Sequence, residues 1–377
     1  MLWRGADVAA IVSFRLDHSM PIVAHSALPT FDKLRERGQE VLPLEHALKQ
    51  DIRELHIGLL NMMPDAALQV TEQQFMRLVG SSNQIAQFFV HPFSVSGLPR
   101  SAESQAYIDR YYSTFQNAQE KGLDALIITG ANVSNPALEL EPFWQPLSEV
   151  MAWASENVTS VLCSCLATHA LLQQFHGVER QPLGFKRWGV FNHRVIHPYH
   201  PLLSDINTRF DVPHSRFNEI SREQFIAAGL SILVESEVAG VHMAVSADQF
   251  RVIYLQGHPE YDINSLLKEY KREVHRYFHG EREDYPPHPD SYFPPDVAAV
   301  ADAYREMVQV AKRRGSVPPP FPENAMLPHL DNTWGDTARA IFNNWLGLVY
   351  RLADLDRRKL YKEGVDPNDP LGLHAGK

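Results

Sequence analysis

The sequence predicts an α/β fold: a mostly parallel sheet with helices on both faces, plus a C-terminal helical appendage. Three observations carry this. Short apolar runs of strand length alternate with helix-like segments through the first half of the chain. Their order is β-α-β-α-β-α, which suits parallel strands joined by crossover helices. Beyond Gly280 the composition changes to proline-rich stretches around amphipathic helices.

HIGLLNMM, His56 to Met63, has the length and composition of a buried strand, and Gln73 to Val79 has helical spacing. IAQFFV, Ile85 to Val90, is a second strand. Ser101 to Gly122 is a helix that the glycine ends. ALIITGAN, Ala125 to Asn132, is a third strand broken at Gly130, and Phe143 to Asn157 is a helix. SVLCSC is a fourth strand, followed by the helix LATHALLQQFHG, closed by Gly177. SILVES, VHMAVS and FRVIYLQG follow so closely that the sheet is expected to turn antiparallel there. Helices are expected from Asn264 to about Phe278, from Val297 to Arg314, and from Asp336 to about Leu352. The last carries Ile341, Trp345, Leu348 and Leu352 on one face. The expected division is an N-terminal extension (1–19), an N-terminal arm (20–54), an α/β catalytic domain (55–280), a Pro-rich and helical appendage packed on it (281–355), and a tail (356–377).

The chain has 377 residues, 44% of them hydrophobic, and a formal charge of −10. That charge argues against a broad nucleic-acid surface, though not against a local basic pocket for one anion. No apolar stretch approaches the length of a membrane span. The N-terminal run Val8 to Phe14 is short and closely flanked by Asp7, Arg15 and Asp17, with no cleavage site directly after it. It is expected to be an extension that the fold does not need, with translation starting at Met1 or Met20. The two cysteines, Cys163 and Cys165, are badly placed to bridge to each other, so reduced thiols in the cytoplasm are expected.

Those cysteines sit where a strand turns into a helix. Three readings are open for this stretch alone: a buried strand end, part of a metal site, or a nucleophile on a sharp turn. A metal site lacks a nearby pair of ligands to complete a tetrahedral set. A nucleophile on such a turn needs small residues two before and two after it. Cys165 has Cys163 and Ala167; Cys163 would have the β-branched Val161. The pattern therefore selects Cys165, where the positive end of the helix favours a thiolate. The free N–H of Leu166 could form part of an oxyanion hole.

A thiolate nucleophile needs a base. Among 18 histidines, His258 stands out, because RVIYLQGHPEYD is a strand that runs out into a turn at Gly257. Functional groups gather at the carboxyl ends of parallel strands, and Glu260 could orient the imidazole. H-P-E alone could be a simple turn, but each motif calls for a partner of the other's type. Together they point to a Cys165-His258-Glu260 triad. His169 is expected to pack or face solvent. His91, His197 and His200 are expected to be structural, in loop-like stretches beside prolines.

A strand-turn-helix cysteine followed by a distant H-P-E resembles class I glutamine amidotransferases, a flavodoxin-like architecture. The likeness goes further with the homoserine O-acyltransferase family, of the homoserine O-succinyltransferase type. The matching stretches are MPIVAHSALPTF, IGLLNMMP, TEQQFMRLV, LIITGA, VTSVLCSCLATHALL, GVFNHRVIHP, VPHSRF, GHPEYD and IFNNWL, in family order. The resemblance implies a Cys165 nucleophile, with His258 and Glu260 as its catalytic partners. It also implies substrate contacts at Lys186, Ser215, Arg216 and Arg272. The activity implied is acyl transfer from coenzyme A to the hydroxyl of L-homoserine, the first committed step of methionine biosynthesis. Acyl-CoA would be a co-substrate, with no permanently bound cofactor and no metal. The expected setting is a cytoplasmic homodimer without nucleic-acid or membrane partners. The chain departs from the family after Pro64, where Asp65 and Ala66 replace lysines, and at Asn132, where the family has proline. Ser134 stands where succinyl-using members have glycine and acetyl-using members glutamate. Its small side chain favours succinyl-CoA. The alternative is a glutamine amidotransferase-like cysteine hydrolase.

Overall fold

The computed structural model describes residues 22–82 and 86–374. The extension 1–19, both candidate start positions and Ile85 lie outside the described residues. In chain order the elements are β1 (Ile22–Ala24), α1 (Thr30–Glu36), β2 (Val41–Pro43), α2 (Leu44–Ala47), β3 (Glu54–Leu60), α3 (Asp65–Gly80), β4 (Gln87–Phe93), α4 (Ala102–Tyr111), α5 (Phe115–Lys121), β5 (Ala125–Ile128), α6 (Trp144–Asn157), β6 (Ser160–Ser164), α7 (Leu166–His176), β7 (Gln181–Val195), β8 (Arg209–Glu219), α8 (Arg222–Ala227), β9 (Ser231–Ser236), β10 (Gly240–Val245), β11 (Val252–Leu255), α9 (Ser265–Phe278), α10 (Pro295–Arg314), α11 (Glu323–Met326) and α12 (Gly335–Leu352).

The strands form one 11-stranded sheet in the order β2-β1-β4-β3-β5-β6-β11-β10-β9-β7-β8. From β2 to β11 the neighbours are parallel. From β11 to β8 they are antiparallel, as the close spacing of the later strands suggested. β1 and β2, from the segment expected to be an arm, form the parallel edge.

Alternation along each strand divides the core. Ile127 and Leu162 face α3 and α12, packing with Phe75, Phe342 and Trp345. Leu126, Ile128, Val161 and Cys163 face the opposite layer, with Leu147 and Met151 of α6 and Leu171 of α7. Trp345 also donates through Nε1 to Ser160 Oγ at 2.9 Å, which pins α12 beneath the strand leading to Cys165.

Two expectations need correction. The helix predicted over 101–122 is two helices. Tyr112 is extended between them, Ser113 N donates to Pro92 O at 2.8 Å, and Thr114 caps α5 through Asn117 N at 3.1 Å. His91 lies in β4 rather than in a loop, its Nε2 2.9 Å from His56 Nδ1. Pro92 fits this strand because β1 pairs with β4 only at Phe88, so on that side no β1 residue faces the proline nitrogen.

The proline-rich segment packs on α9 and β7 through Trp188, Tyr270, Tyr292, Tyr304 and Trp334. Its closest approach is at Gly189, with φ of 151°, where Asp290 exchanges backbone hydrogen bonds of 2.8 Å with Trp188 and Val190. A Cβ on Gly189 would lie 2.2 Å from Asp290 O. Because the obstacle is backbone, Gly189→Ala is expected to cost about 2–3 kcal/mol of stability. Denaturant unfolding checks this; an unchanged midpoint would contradict it. Among the described residues no helix is long and apolar enough to cross a membrane.

Candidate active site

The sheet registers β6 against β11, pairing Cys163 with Tyr254 and Ser164 with Leu255. The residues that follow each strand therefore emerge side by side at one end. Cys165 N donates to Leu255 O at 2.8 Å, and His258 N to Pro213 O at 2.8 Å. Cys165 holds φ 53° and ψ −109°, a conformation that L-residues seldom adopt, at the N-cap of α7. The small neighbours inferred from sequence make the turn possible: Cys163 and Ala167 are completely buried. Thr168 secures it, with Oγ1 donating to Cys163 O at 3.1 Å and to Leu255 O at 2.9 Å.

The two cysteines differ chemically. Burial pushes the Cys163 thiol far up, so it stays protonated and inert. Cys165 is partly accessible and neighbours His258. His258 Nδ1 lies 2.8 Å from Glu260 Oε1, with both side chains buried. Burial alone would lower the His258 pKa. The charges of Glu260 and Cys165, and the hydrogen bonds to both, outweigh it and raise it well above the usual imidazole value. His258 is therefore held as an imidazolium between Cys165 and Glu260. Leu166 opens the helix, where a first-turn N–H has no helical acceptor. A side-chain carbon on Gly130 would lie 3.9 Å from Leu166 N and 3.7 Å from Cys165 Cβ, so glycine keeps this space open.

A second group lies beside the first. Glu269, on α9, is the residue that sequence reasoning missed. Its Oε2 is 2.7 Å from Lys186 Nζ and accepts from Ser215 Oγ at 2.7 Å; its Oε1 accepts from Tyr261 OH at 2.8 Å. Burial would raise the Glu269 carboxyl, but Lys186 and the two hydroxyls hold it below the usual range. Arg272 is more exposed, 4.0 Å from Glu269 and 3.3 Å from Glu273. Tyr261 joins the two groups, its ring stacked on His258 at 4.4 Å.

The other predicted residues stand further back. Arg216 is buried, bonded to His214 and, at 2.5 Å, to Ala239 O; Glu219 lies 3.6 Å away. Burial, then Arg187, pushes its pKa down to about 10 against the pull of Cys165 and Glu219. Ser134 is exposed on the loop after β5, its N–H donating to Glu141 Oε1 at 2.5 Å. His169 packs inside, 3.2 Å from Gln256 Oε1. Among the described residues no cluster of histidine, cysteine and carboxylate side chains could hold a metal. A cavity of about 820 Å³ lies on the antiparallel side among Phe191, Arg194, Glu235 and Val238. Its lining includes neither Cys165 nor His258.

The site thus sets a strained cysteine at a strand-to-helix turn beside an imidazole and a carboxylate at the next parallel strand's end, in an α/β fold. The family model for homoserine O-succinyltransferase matches residues 21–355, and the chain belongs to that family. It is 64% identical to a homoserine O-succinyltransferase of Methylococcus capsulatus over 94% of this chain and 100% of that protein. It is 61% identical to one of Thiothrix nivea over 94% of this chain and 98% of that protein. Among solved structures, a glutamine amidotransferase from Thermotoga maritima aligns with a TM-score of 0.41 and 11% identity, covering 78% of this chain and 97% of that one. Another, from Methylobacillus flagellatus, aligns with a TM-score of 0.42 and 14% identity, covering 79% and 95%.

Proposed function

We propose that this chain transfers a succinyl group from coenzyme A to the hydroxyl of L-homoserine through an acyl-cysteine, in the first committed step of methionine biosynthesis. The observation that carries this is geometric: Cys165 and His258 emerge side by side from β6 and β11, and His258 Nδ1 lies 2.8 Å from Glu260 Oε1. Membership of the family supplies the substrates. The Cys165 thiolate attacks the thioester carbon. The Leu166 N–H stabilises the tetrahedral oxyanion, a contribution of about 3 kcal/mol for such a donor. The C–S bond to coenzyme A breaks, and the His258 proton goes to the leaving thiolate. Homoserine then enters with its carboxylate on Arg272 and its ammonium facing the buried Glu269. Lys186 and Ser215 hold that carboxylate in place. His258 takes the hydroxyl proton as the oxygen attacks the acyl carbon, and the Cys165 sulfur leaves. Arg216 fixes the backbone beneath the site through Ala239 O. Ser134 leaves room for the longer acyl chain. Acyl-CoA is a co-substrate here, not a bound cofactor. The working unit is read as a cytoplasmic homodimer, in keeping with its two free cysteines.

Steady-state kinetics test the proposal. Succinyl-CoA with homoserine is expected to release free coenzyme A in a ping-pong pattern. Glutamate formed from glutamine, with no thiol release from succinyl-CoA, would favour a glutamine-hydrolysing enzyme instead.

A further inference from the structure

Arg100, Arg180 and Arg216 are not equivalent. Arg100 is buried, donates to Met63 O at 2.5 Å and lies 3.5 Å from Asp65. Arg216 has Glu219 at 3.6 Å. Each has a protein carboxylate to offset its charge. Arg180, between α7 and β7, makes no ion pair within 4 Å among the described residues. Its Nη2 donates to Asn135 O at 3.1 Å and to Pro136 O at 3.0 Å, while its buried Nε has no acceptor. The nearby Glu141 carboxylate is taken up by the N–H groups of Ser134 and Asn135, at 2.5 and 2.6 Å.

Segment 130–136 ties this cation to the reacting sulfur. It begins at Gly130, against Cys165 Cβ and Leu166 N, and ends at the carbonyls that Arg180 clasps. Ser134 lies between. The charges of Arg180 and Cys165 also act on each other.

We infer that Arg180 receives the free carboxylate of the acyl group while that group sits on Cys165, and so selects a dicarboxylic acyl donor over an uncharged one. This rests on the acyl-transfer function proposed above. A succinyl thioester carries a full negative charge a few bonds from the reacting carbon. Enclosing that charge without a partner is costly, and a guanidinium edge with an unused N–H meets it with a charge-assisted hydrogen bond. Arg180 is held in place by the loop backbone, and Glu141, whose charge also reaches it, is bonded to the loop N–H groups rather than to the guanidinium.

The test compares native protein, Arg180→Met and Arg180→Lys with succinyl-CoA and with butyryl-CoA, which has the same chain length and no charge. Arg180→Met is expected to lose about 10- to 100-fold in kcat/KM for succinyl-CoA. Its kcat/KM for butyryl-CoA should hold or rise, and Arg180→Lys should recover part of the succinyl activity. Thermal melting reads folding independently of turnover. A variant that melts normally but keeps full succinyl activity, or loses both donors equally, overturns the assignment. Failure of the transfer function itself would appear in the native protein, as no turnover of succinyl-CoA.

Discussion

Cys165→Ala is expected to reduce succinyl transfer by about 10⁴-fold or more while leaving the fold intact. The size of the loss follows from the path. Without the sulfur no covalent intermediate forms, and homoserine would have to attack the thioester directly, in a site shaped for two successive displacements. Cys163 cannot take over. It is fully buried, its thiol is held protonated, and it faces the layer of Leu147 and Met151. Cys163→Ala is correspondingly expected to keep its chemistry. Alanine at position 165 keeps the small neighbours and the backbone bonds of Cys165 to Leu255 and Thr168. Steady-state kinetics beside circular dichroism separate lost chemistry from lost structure; substantial residual transfer would contradict a sulfur nucleophile.

His258→Asn is expected to slow transfer by about 10²- to 10⁴-fold. Asparagine cannot shuttle a proton, and it leaves Glu260 buried beside a weaker partner. The pH dependence gives a sharper test. The His258 pKa is raised, so the imidazole keeps its proton at pH values where an ordinary histidine, at about 6.5, has lost it. A raised pKa adds stability that is fully present below the unfolded value of about 6.5 and is lost as pH rises through the folded one. In the native protein, stability to denaturant should therefore fall as pH rises through the folded His258 value. His258→Asn should lose this pH dependence. Identical stability–pH profiles in the two proteins would contradict a proton held on His258.

The meeting of Cys165, His258 and Glu260 at one end of the sheet was legible because each obeys a local rule. Small residues must flank a nucleophile on a tight turn, and Cys165 has them where Cys163 does not. A strand that ends in Gly257 presents His258 at the rim of the sheet. Glu269 was not legible, because a glutamate among lysines and arginines on an amphipathic helix has the same pattern as a solvated charge. Only the fold brings Lys186, Ser215 and Tyr261 to it, from three other segments. The hairpin of β7 and β8 was likewise obscure. Its strands mix Lys186, Arg187, Ser215 and Arg216 with apolar residues, since one end of the hairpin serves the site and the other the core. The central parallel strands β5 and β11 were read closely, because each is buried along its whole length and shows as an unbroken apolar run.

Intact-protein mass spectrometry after mixing with succinyl-CoA alone tests the central claim most directly. The native chain should gain the mass of one succinyl group, mapped to Cys165, and lose it when homoserine is added. Cys165→Ser should show no adduct that homoserine can discharge. An unmodified native protein that still turns over both substrates, or an adduct on any other residue that homoserine discharges, would contradict it.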